Sequence, residues 1–208
     1  MLHTETVEPG TFSVLNRLMG LSSLQQFSLV GGTAMALRYG HRSSIDLDLF
    51  CHEKFDHIPI ESELRQEFGN GFKYEGGHKQ FGIFCYIEKV KVDIVYFPHL
   101  PIAKIESIED IRIYSNADIG AMKIQAMLGR GRKKDFWDLY ELLQHFPLEQ
   151  IINWHLKKYP GQMLAISIPN AITYFNDAED SEEPESFKNQ TWETVKKGIQ
   201  KAVREYLS

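Results

Sequence analysis

Hydrophobic and polar positions divide the chain into two parts with different periodicity. In the first part, short apolar or alternating runs typical of strands are interleaved with segments whose apolar residues recur at helical spacing. A tight turn at Glu88 and Lys89 predicts a hairpin. Strands are predicted at residues 27–30, 43–50, 81–88 and 89–97, and helices at residues 11–21, 33–39 and 60–68.

From about residue 108 onward the pattern is helical. Residues 177–185 interrupt it with six acidic residues, no basic residue and one proline, which predicts a solvated loop. The pattern therefore predicts an α/β core over residues 1–107 and a helical region over residues 108–208. Helices are predicted at residues 116–129, 133–146, 148–159, 162–175 and 187–207, although residues 166–169 could instead be extended. The last helix has an apolar stripe of Trp192, Val195, Ile199, Val203 and Tyr206.

Composition narrows the class of protein. The 208 residues are 43% hydrophobic and 25% charged, as in an ordinary globular protein, and the net charge of −5 argues against a broadly basic nucleic-acid binder. Cys51 and Cys85 lie far apart, so neither a zinc site nor a disulfide framework is expected. With no signal-peptide pattern and no long apolar run, we expect a cytoplasmic protein without a membrane partner.

Two aspartates in the second predicted strand are candidates for metal binding. Asp46 and Asp48 are two positions apart, so on a strand both would point to the same face and repel each other. A magnesium ion between them would relieve the repulsion, because carboxylate oxygens are its preferred ligands. Asp93, on a later strand, would add a third carboxylate. The alternative is a solvent-facing stripe of acidic residues.

A glycine pair between a strand and a helix is a candidate phosphate site. Gly31 and Gly32 permit unusual backbone angles and close approach of a ligand to the amides, and the helix N-terminus attracts anions. Thr33 is predicted to cap this helix, and Gly40 to end it. The alternative is a simple turn without a ligand.

A basic segment followed by two aspartates lies in the helical region. Asp135 and Asp138 are three residues apart and share one face of a predicted helix, where they could act as a base or orient Lys123. Lysine is a compact charge that suits phosphate, so Lys123 is a candidate triphosphate ligand. The alternative is a polar surface of ion pairs, with Asp138 paired to a base. The basic residues are Lys123, Arg130, Arg132, Lys133 and Lys134.

Two separated segments together resemble a known family. Residues 29–50, LVGGTAMALRYGHRSSIDLDLF, resemble the glycine-pair and DxD signature of the DNA polymerase β-like nucleotidyltransferase superfamily, in particular its AbiEii/AbiGii toxin-type group. Residues 122–142, MKIQAMLGRGRKKDFWDLYEL, are similar to that group's lysine and aspartate motif. The resemblance implies an α+β fold in which a nucleotidyltransferase-like core with a mixed sheet is followed by a helical C-terminal half that completes the active site.

The resemblance also implies an activity and its residues. It implies transfer of a nucleoside monophosphate from an NTP, with Mg²⁺ or Mn²⁺, to an RNA such as a tRNA 3′ end or to a protein hydroxyl, by a toxin with a possible antitoxin partner. In some relatives the position of Ser44 is itself modified. The implied metal ligands are Asp46, Asp48 and Asp93, which with Lys123 and Asp135 form the catalytic set. The implied nucleotide contacts are Gly31, Gly32, Thr33, Arg42, Ser44 and Lys123.

Two other interpretations remain at the level of sequence. One is a non-catalytic nucleotide-binding or protein-interaction module that keeps the fold, and the other is a structural protein whose charged motifs are solvated surface. Arg38 either contacts phosphate or extends from its helix to solvent. The eight histidines lack paired metal-ligand spacing, and neither His41 nor His78 is predicted to be a catalyst.

Overall fold

A seven-stranded mixed sheet forms the centre of the protein. The structure is a computed structural model that describes residues 1–75 and 81–208. The strand order is β3-β4-β5-β2-β1-β7-β6. The strands are Ser28–Val30 (β1), Leu47–Cys51 (β2), Phe72–Tyr74 (β3), Gly82–Ile87 (β4), Val90–Tyr96 (β5), Glu106–Ile108 (β6) and Ile111–Ile113 (β7).

Strand β2 lies in the middle of this sheet and has neighbours of both orientations. It pairs antiparallel with β1 and parallel with β5. Its alternation of core and opposite-face positions buries Leu47, Leu49 and Cys51, whereas Asp48 and Phe50 point to the other face. The mixed sheet confirms the α+β class that the sequence predicted.

The helices cover the sheet and form most of the second half of the chain. Helix α2 contacts β1 and β2 and also α4 and α5, so it connects the sheet to the helical region. The helices are Pro9–Gly20 (α1), Gly31–Tyr39 (α2), His57–Phe68 (α3), Asn116–Arg130 (α4), Lys133–Leu143 (α5), Leu148–Lys158 (α6), Ile168–Ile172 (α7), Asn176–Glu179 (α8) and Trp192–Leu207 (α9).

The two ends of α2 differ in how well the sequence predicted them. Gly40 ends the helix in the left-handed conformation with φ of 63°, as predicted. The prediction that Thr33 caps the helix was wrong, because the helix already begins at Gly31 and its N-cap is Val30, which has no capping side chain. Thr33 lies inside the first turn, where its hydroxyl is free to bond elsewhere.

The chain is not helical immediately after residue 108, where the pattern predicted helices. Strand β6 ends at this residue and β7 follows, and β7 pairs in parallel with β1, so the central sheet continues to Ile113. The division into residues 1–107 and 108–208 stays a prediction. The helix predicted at residues 162–175 was also too long, since only Ile168–Ile172 is helical there. The predicted acidic loop includes most of the short helix α8.

The predicted hairpin turn is confirmed, and so is most of the apolar stripe of α9. Glu88 and Lys89 form the turn between β4 and β5 with positive φ of 50° and 74°. The apolar stripe of α9 is buried except for Tyr206, which is 40% exposed. Both cysteines are buried free thiols. Among the described helices, none has the length and apolar character needed to cross a membrane. His78 lies outside the described residues.

Candidate active site

Two aspartates stand side by side on the sheet. Asp48 on β2 and Asp93 on β5 are directly paired in the parallel register, so their side chains share one face. Lys91 donates a hydrogen bond of 2.9 Å from Nζ to Oδ2 of Asp93. The other oxygen of Asp93, Oδ1, is buried and has no hydrogen-bond partner within the described part of the chain. The pair therefore has unused capacity to bind a donor or a cation.

The glycine turn lies against Asp48. Gly31 adopts φ of +73°, and a Cβ built on it would come within 2.6 Å of Oδ2 of Asp48. Only glycine combines this backbone conformation with room for the carboxylate. The first turn of α2, with its partial positive charge, is thus held beside the acidic pair.

Burial and like charge together act on Asp48. Burial raises its pKa, and the neighbouring carboxylate of Asp93 raises it further, whereas Lys123 and Lys91 partly oppose the shift. The resulting pKa of Asp48 is about 6. The site therefore holds a carboxylate whose ionisation is unfavourable until positive charge is supplied.

Asp46 lies just before β2 rather than on it, which corrects the predicted strand geometry of the DxD pair. Its backbone carbonyl accepts a hydrogen bond from the Thr33 hydroxyl, which also lies 2.8 Å from Oγ of Ser44. Its carboxylate is 3.7 Å from Nζ of Lys134. Thr33 therefore fixes the segment that carries Asp46, and Lys134 faces the carboxylate.

A second, fully buried cluster lies behind the glycine turn and centres on Asp138 of α5. Its carboxylate accepts hydrogen bonds of 2.7 and 2.8 Å from Nε and Nη2 of Arg42. Nε2 of His41 lies 2.8 Å from Oδ1, and Nζ of Lys123 lies 2.6 Å from Oδ2. Lys123 also donates to Asp135 at 3.0 Å. One aspartate thus connects the loop after α2 with α4 and α5.

The charges of this cluster stabilise one another. Burial alone would raise the pKa of Asp138, but Arg42 and Lys123 hold it well below its ordinary value. Burial alone would lower the pKa of Lys123, but Asp138 and Asp135 raise it above its ordinary value. Both groups are therefore ionised at neutral pH. Asp135 also caps α5, since its Oδ2 accepts from the backbone N–H of Arg132.

An open cleft of about 340 Å³ lies beside Asp46. One wall is the segment from Arg42 to Asp46, and Arg132 and Lys134 contribute positive charge. The opposite wall is the acidic segment at residues 182–185, which is held in place because the carbonyl of Glu185 accepts from the N–H of Ser43 at 2.9 Å. The cleft gives a small molecule access to the DxD segment.

The structure brings most of the predicted site residues to one region, but in two layers. Ser44 and Asp46 line the cleft, whereas Asp48 lies with Asp93 on the sheet. The guanidinium of Arg42 and the ammonium of Lys123 instead point into the buried cluster of Asp138. Arg38, a candidate phosphate contact, is bound to Glu106 and to the carbonyl of Tyr114.

The importance of three residues was missed or underestimated. Asp138 was predicted to act as a base, to orient Lys123 or simply to pair with a base, and it was left out of the catalytic set; His41 was set aside because it lies in a polar turn. The i, i+3 spacing of the two α5 aspartates was the available signal for Asp138. Lys91 was not considered, although its position two residues before Asp93 on a strand places both on one face.

The three predicted metal ligands are not assembled as a ready coordination shell. Within residues 1–75 and 81–208, no group of three or more His, Cys, Asp or Glu side chains is arranged to hold a metal ion. Asp48 and Asp93 are paired, whereas Asp46 stands at the cleft opposite Lys134.

Comparison with known proteins places this geometry in a family. A family model described as nucleotidyl transferase AbiEii toxin, type IV TA system, matches residues 13–162, which include the glycine turn, the acidic pair and the Asp138 cluster. The chain is also 30% identical, over 201 residues, to the uncharacterized protein aq_aa25 of Aquifex aeolicus (strain VF5), covering 93% of this chain and 94% of that protein.

Solved structures share the fold. The crystal structure of JHP933 from Helicobacter pylori has a TM-score of 0.51 at 16% identity and covers 96% of this chain and 94% of its own. MenT4, the nucleotidyltransferase toxin Rv2826c from Mycobacterium tuberculosis H37Rv, has a TM-score of 0.54 at 10% identity, with 94% and 84% covered. The family match together with this fold shows that the chain is a nucleotidyltransferase and belongs to the AbiEii family.

Proposed function

We propose that this enzyme transfers a nucleoside monophosphate from an NTP, with magnesium or manganese, to a hydroxyl of an RNA or a protein. The observation that carries the proposal is the pairing of Asp48 with Asp93 beside the glycine turn. Asp48, whose pKa is raised by burial and further by the neighbouring Asp93, forms with it a place where positive charge is favourable.

The residues present fit a divalent cation. The oxygens of Asp46, Asp48 and Asp93 are hard ligands, and Oδ1 of Asp93 is buried without a partner within the described residues. Asp48 and Asp93 would hold the ion from their paired positions, and Asp46 would join them by turning its carboxylate away from Lys134. Water and phosphate oxygens would fill the remaining positions. Bound there, the ion would neutralise the triphosphate and the charge that develops at the reacting phosphorus.

The chain's own groups would then position the reactants. The first-turn amides of α2 face the phosphates, and Lys123 lies within electrostatic reach of Asp48, whose pKa it lowers. The acceptor oxygen attacks the α-phosphorus while the bond to the β-phosphate oxygen breaks, and pyrophosphate leaves. Asp93 would take the proton of the acceptor hydroxyl. Positioning and charge stabilisation supply most of the rate.

Family membership supports a biological role as the toxin of a toxin–antitoxin or phage-defence pair. A tRNA 3′ end is one acceptor compatible with this role, and the positive charge of Arg132 and Lys134 at the cleft favours a phosphate-bearing substrate. An antitoxin protein is then an expected partner.

Labelling with each α-³²P-labelled NTP tests the proposal directly. The full chain is incubated with magnesium and either total RNA or total protein, and label is followed on gels. We expect label on one acceptor with wild type and with Glu149→Gln, an exposed acid on α6. The double variant Asp46→Ala, Asp48→Ala should give none. Equal labelling by the double variant would contradict this site.

A further inference from the structure

We propose that the open face of β3, β4 and β5 is the binding platform for a single-stranded RNA acceptor whose 3′ end reaches Asp93. The inference rests on the proposed function, because it chooses RNA over protein as the acceptor and gives it a path. The platform is defined by four side chains: Lys73, Phe84, Tyr86 and Lys91.

The strand register places these residues on one face. Phe84 pairs with Asp93, Tyr86 pairs with Lys91, and Lys73 pairs with Tyr86 across the next strand. Directly opposed residues share a face of a sheet, with side chains about 5 Å apart. The ring of Phe84 is therefore the immediate neighbour of Asp93, and Tyr86 follows one step farther from the acidic pair.

These aromatic rings are not used by the core. The alternate residues of β4, Ile83, Cys85 and Ile87, are fully buried on the opposite face, where α3 packs. Phe84 and Tyr86 are only half-buried. Tyr86 and Lys73 also line an open concave surface of about 620 Å³ at the outer end of the same strands. Two aromatic rings are thus accessible next to a reactive site.

Positive charge surrounds the rings. Lys73 and Lys89 are exposed, and Lys91 is 41% exposed. Of the nearby acidic residues, Glu88 is paired with Arg17 at 2.7 Å and Asp93 with Lys91 at 2.9 Å, and Glu75 is exposed beside Phe84. Aromatic rings flanked by lysines are the combination that binds single strands, because every base can stack on a ring while lysines contact phosphate.

The location agrees with the chemistry of the acceptor. The NTP phosphates are assigned to the glycine turn, on the β1 side of Asp48, whereas Asp93 and the platform lie on the β5 side. An acceptor on the platform approaches the α-phosphorus from the side opposite the triphosphate, with its hydroxyl next to the carboxylate that takes the proton. Such an in-line arrangement is what phosphoryl transfer needs.

RNA binding can be measured without catalysis. A short fluorescein-labelled single-stranded RNA of mixed sequence is titrated with the full chain in EDTA, without NTP, and anisotropy is recorded. We expect Phe84→Ala and Tyr86→Ala each to weaken binding about 5- to 100-fold. Lys73→Ala should lower the slope of log affinity against log salt by about 0.7.

Matched variants separate stacking from folding. Tyr86→Phe and Phe84→Tyr keep the rings and should bind like wild type, whereas Phe84→Leu keeps apolar volume without a ring and should bind weakly. Tyr206→Ala and Lys201→Ala remove an exposed ring and an exposed charge on α9 and should change nothing. Thermal unfolding confirms that each variant is folded.

Three results would overturn the inference: no binding of single-stranded RNA by wild type, unchanged binding by both ring variants, or loss of binding only in Arg132→Ala and Lys134→Ala. The last result would place the acceptor along the cleft. The titration measures binding without transfer, so its result tests the platform independently of the proposed reaction. The proposed reaction is contradicted by a different result, namely that no NTP labels any acceptor.

Discussion

Asp48 and Asp93 are directly opposed on parallel strands, and the repulsion between their carboxylates contributes to the raised pKa of Asp48. A sheet gains no stability from such a pair. We explain the pair by its function, which is to bind positive charge. The pair lies beside the glycine turn at the start of α2.

The raised pKa predicts a pH-dependent cost to stability. The pKa of Asp48 is about 6 in the folded protein, against an ordinary 3.8, so ionisation destabilises the native state as pH rises between these values. In EDTA, Asp48→Asn should raise the free energy of unfolding by about 1–3 kcal/mol at neutral pH and by almost nothing in acid. Denaturant unfolding across pH measures this. A destabilised variant at neutral pH would contradict it.

Gly31 is predicted to tolerate no side chain. Gly31→Ala should disturb Asp48, because the new Cβ would lie 2.6 Å from its Oδ2, and transfer activity should fall by at least about tenfold, or about 1.4 kcal/mol. Gly161→Ala is the matched control, with φ of +76° and no atom near the added Cβ. It carries the same backbone strain and should keep full activity. Equal loss in both variants would show that strain alone matters.

Asp138 is predicted to be essential for the fold around the site. Asp138→Ala leaves Arg42 and Lys123 buried without their shared carboxylate, which should cost about 3–5 kcal/mol of unfolding free energy. The lowered pKa of Asp138 means that its contribution persists at all pH values above the ordinary Asp range and disappears only in strong acid. Denaturant titration of Asp138→Ala, with Glu149→Gln as the control, measures the loss of unfolding free energy. A loss below about 1 kcal/mol would contradict a central role for Asp138.

Thr33 is predicted to fix the DxD segment through its hydroxyl. Thr33→Val keeps the shape but removes the hydrogen bonds to Ser44 and to the carbonyl of Asp46, so unfolding free energy should fall by about 1–2 kcal/mol. The KM for NTP should rise at the same time. Thr33→Ser retains the hydroxyl and should behave like wild type, and a Ser variant as impaired as Val would indicate that packing is responsible.

Local pattern predicted much of the fold and the location of the site. Alternation identified β2, β4 and β5, and glycine chemistry predicted the end of α2. The hairpin of β6 and β7 was missed because each strand has three residues and its turn uses Glu109 and Asp110 at positive φ, without glycine. Three residues show too little alternation to be recognised by pattern alone; β1 is equally short but was recognised as an apolar run followed by the glycine pair.

The buried cluster around Asp138 could not be predicted from local sequence pattern, for a different reason. His41 and Asp138 are 97 positions apart, and only the packing of α2 against α5 brings them together. The sequence analysis assigned Arg42 and Lys123 to the nucleotide phosphates, whereas the structure shows both paired with Asp138.

Metal binding tests the central claim most directly. Mn²⁺ is titrated into the full chain with a nonhydrolysable NTP, and free ion is followed by electron paramagnetic resonance. We predict tight binding by wild type and Glu149→Gln, and binding weakened at least about tenfold, or about 1.4 kcal/mol, in Asp48→Asn and in Asp93→Asn. Wild-type affinity in both aspartate variants would contradict the account.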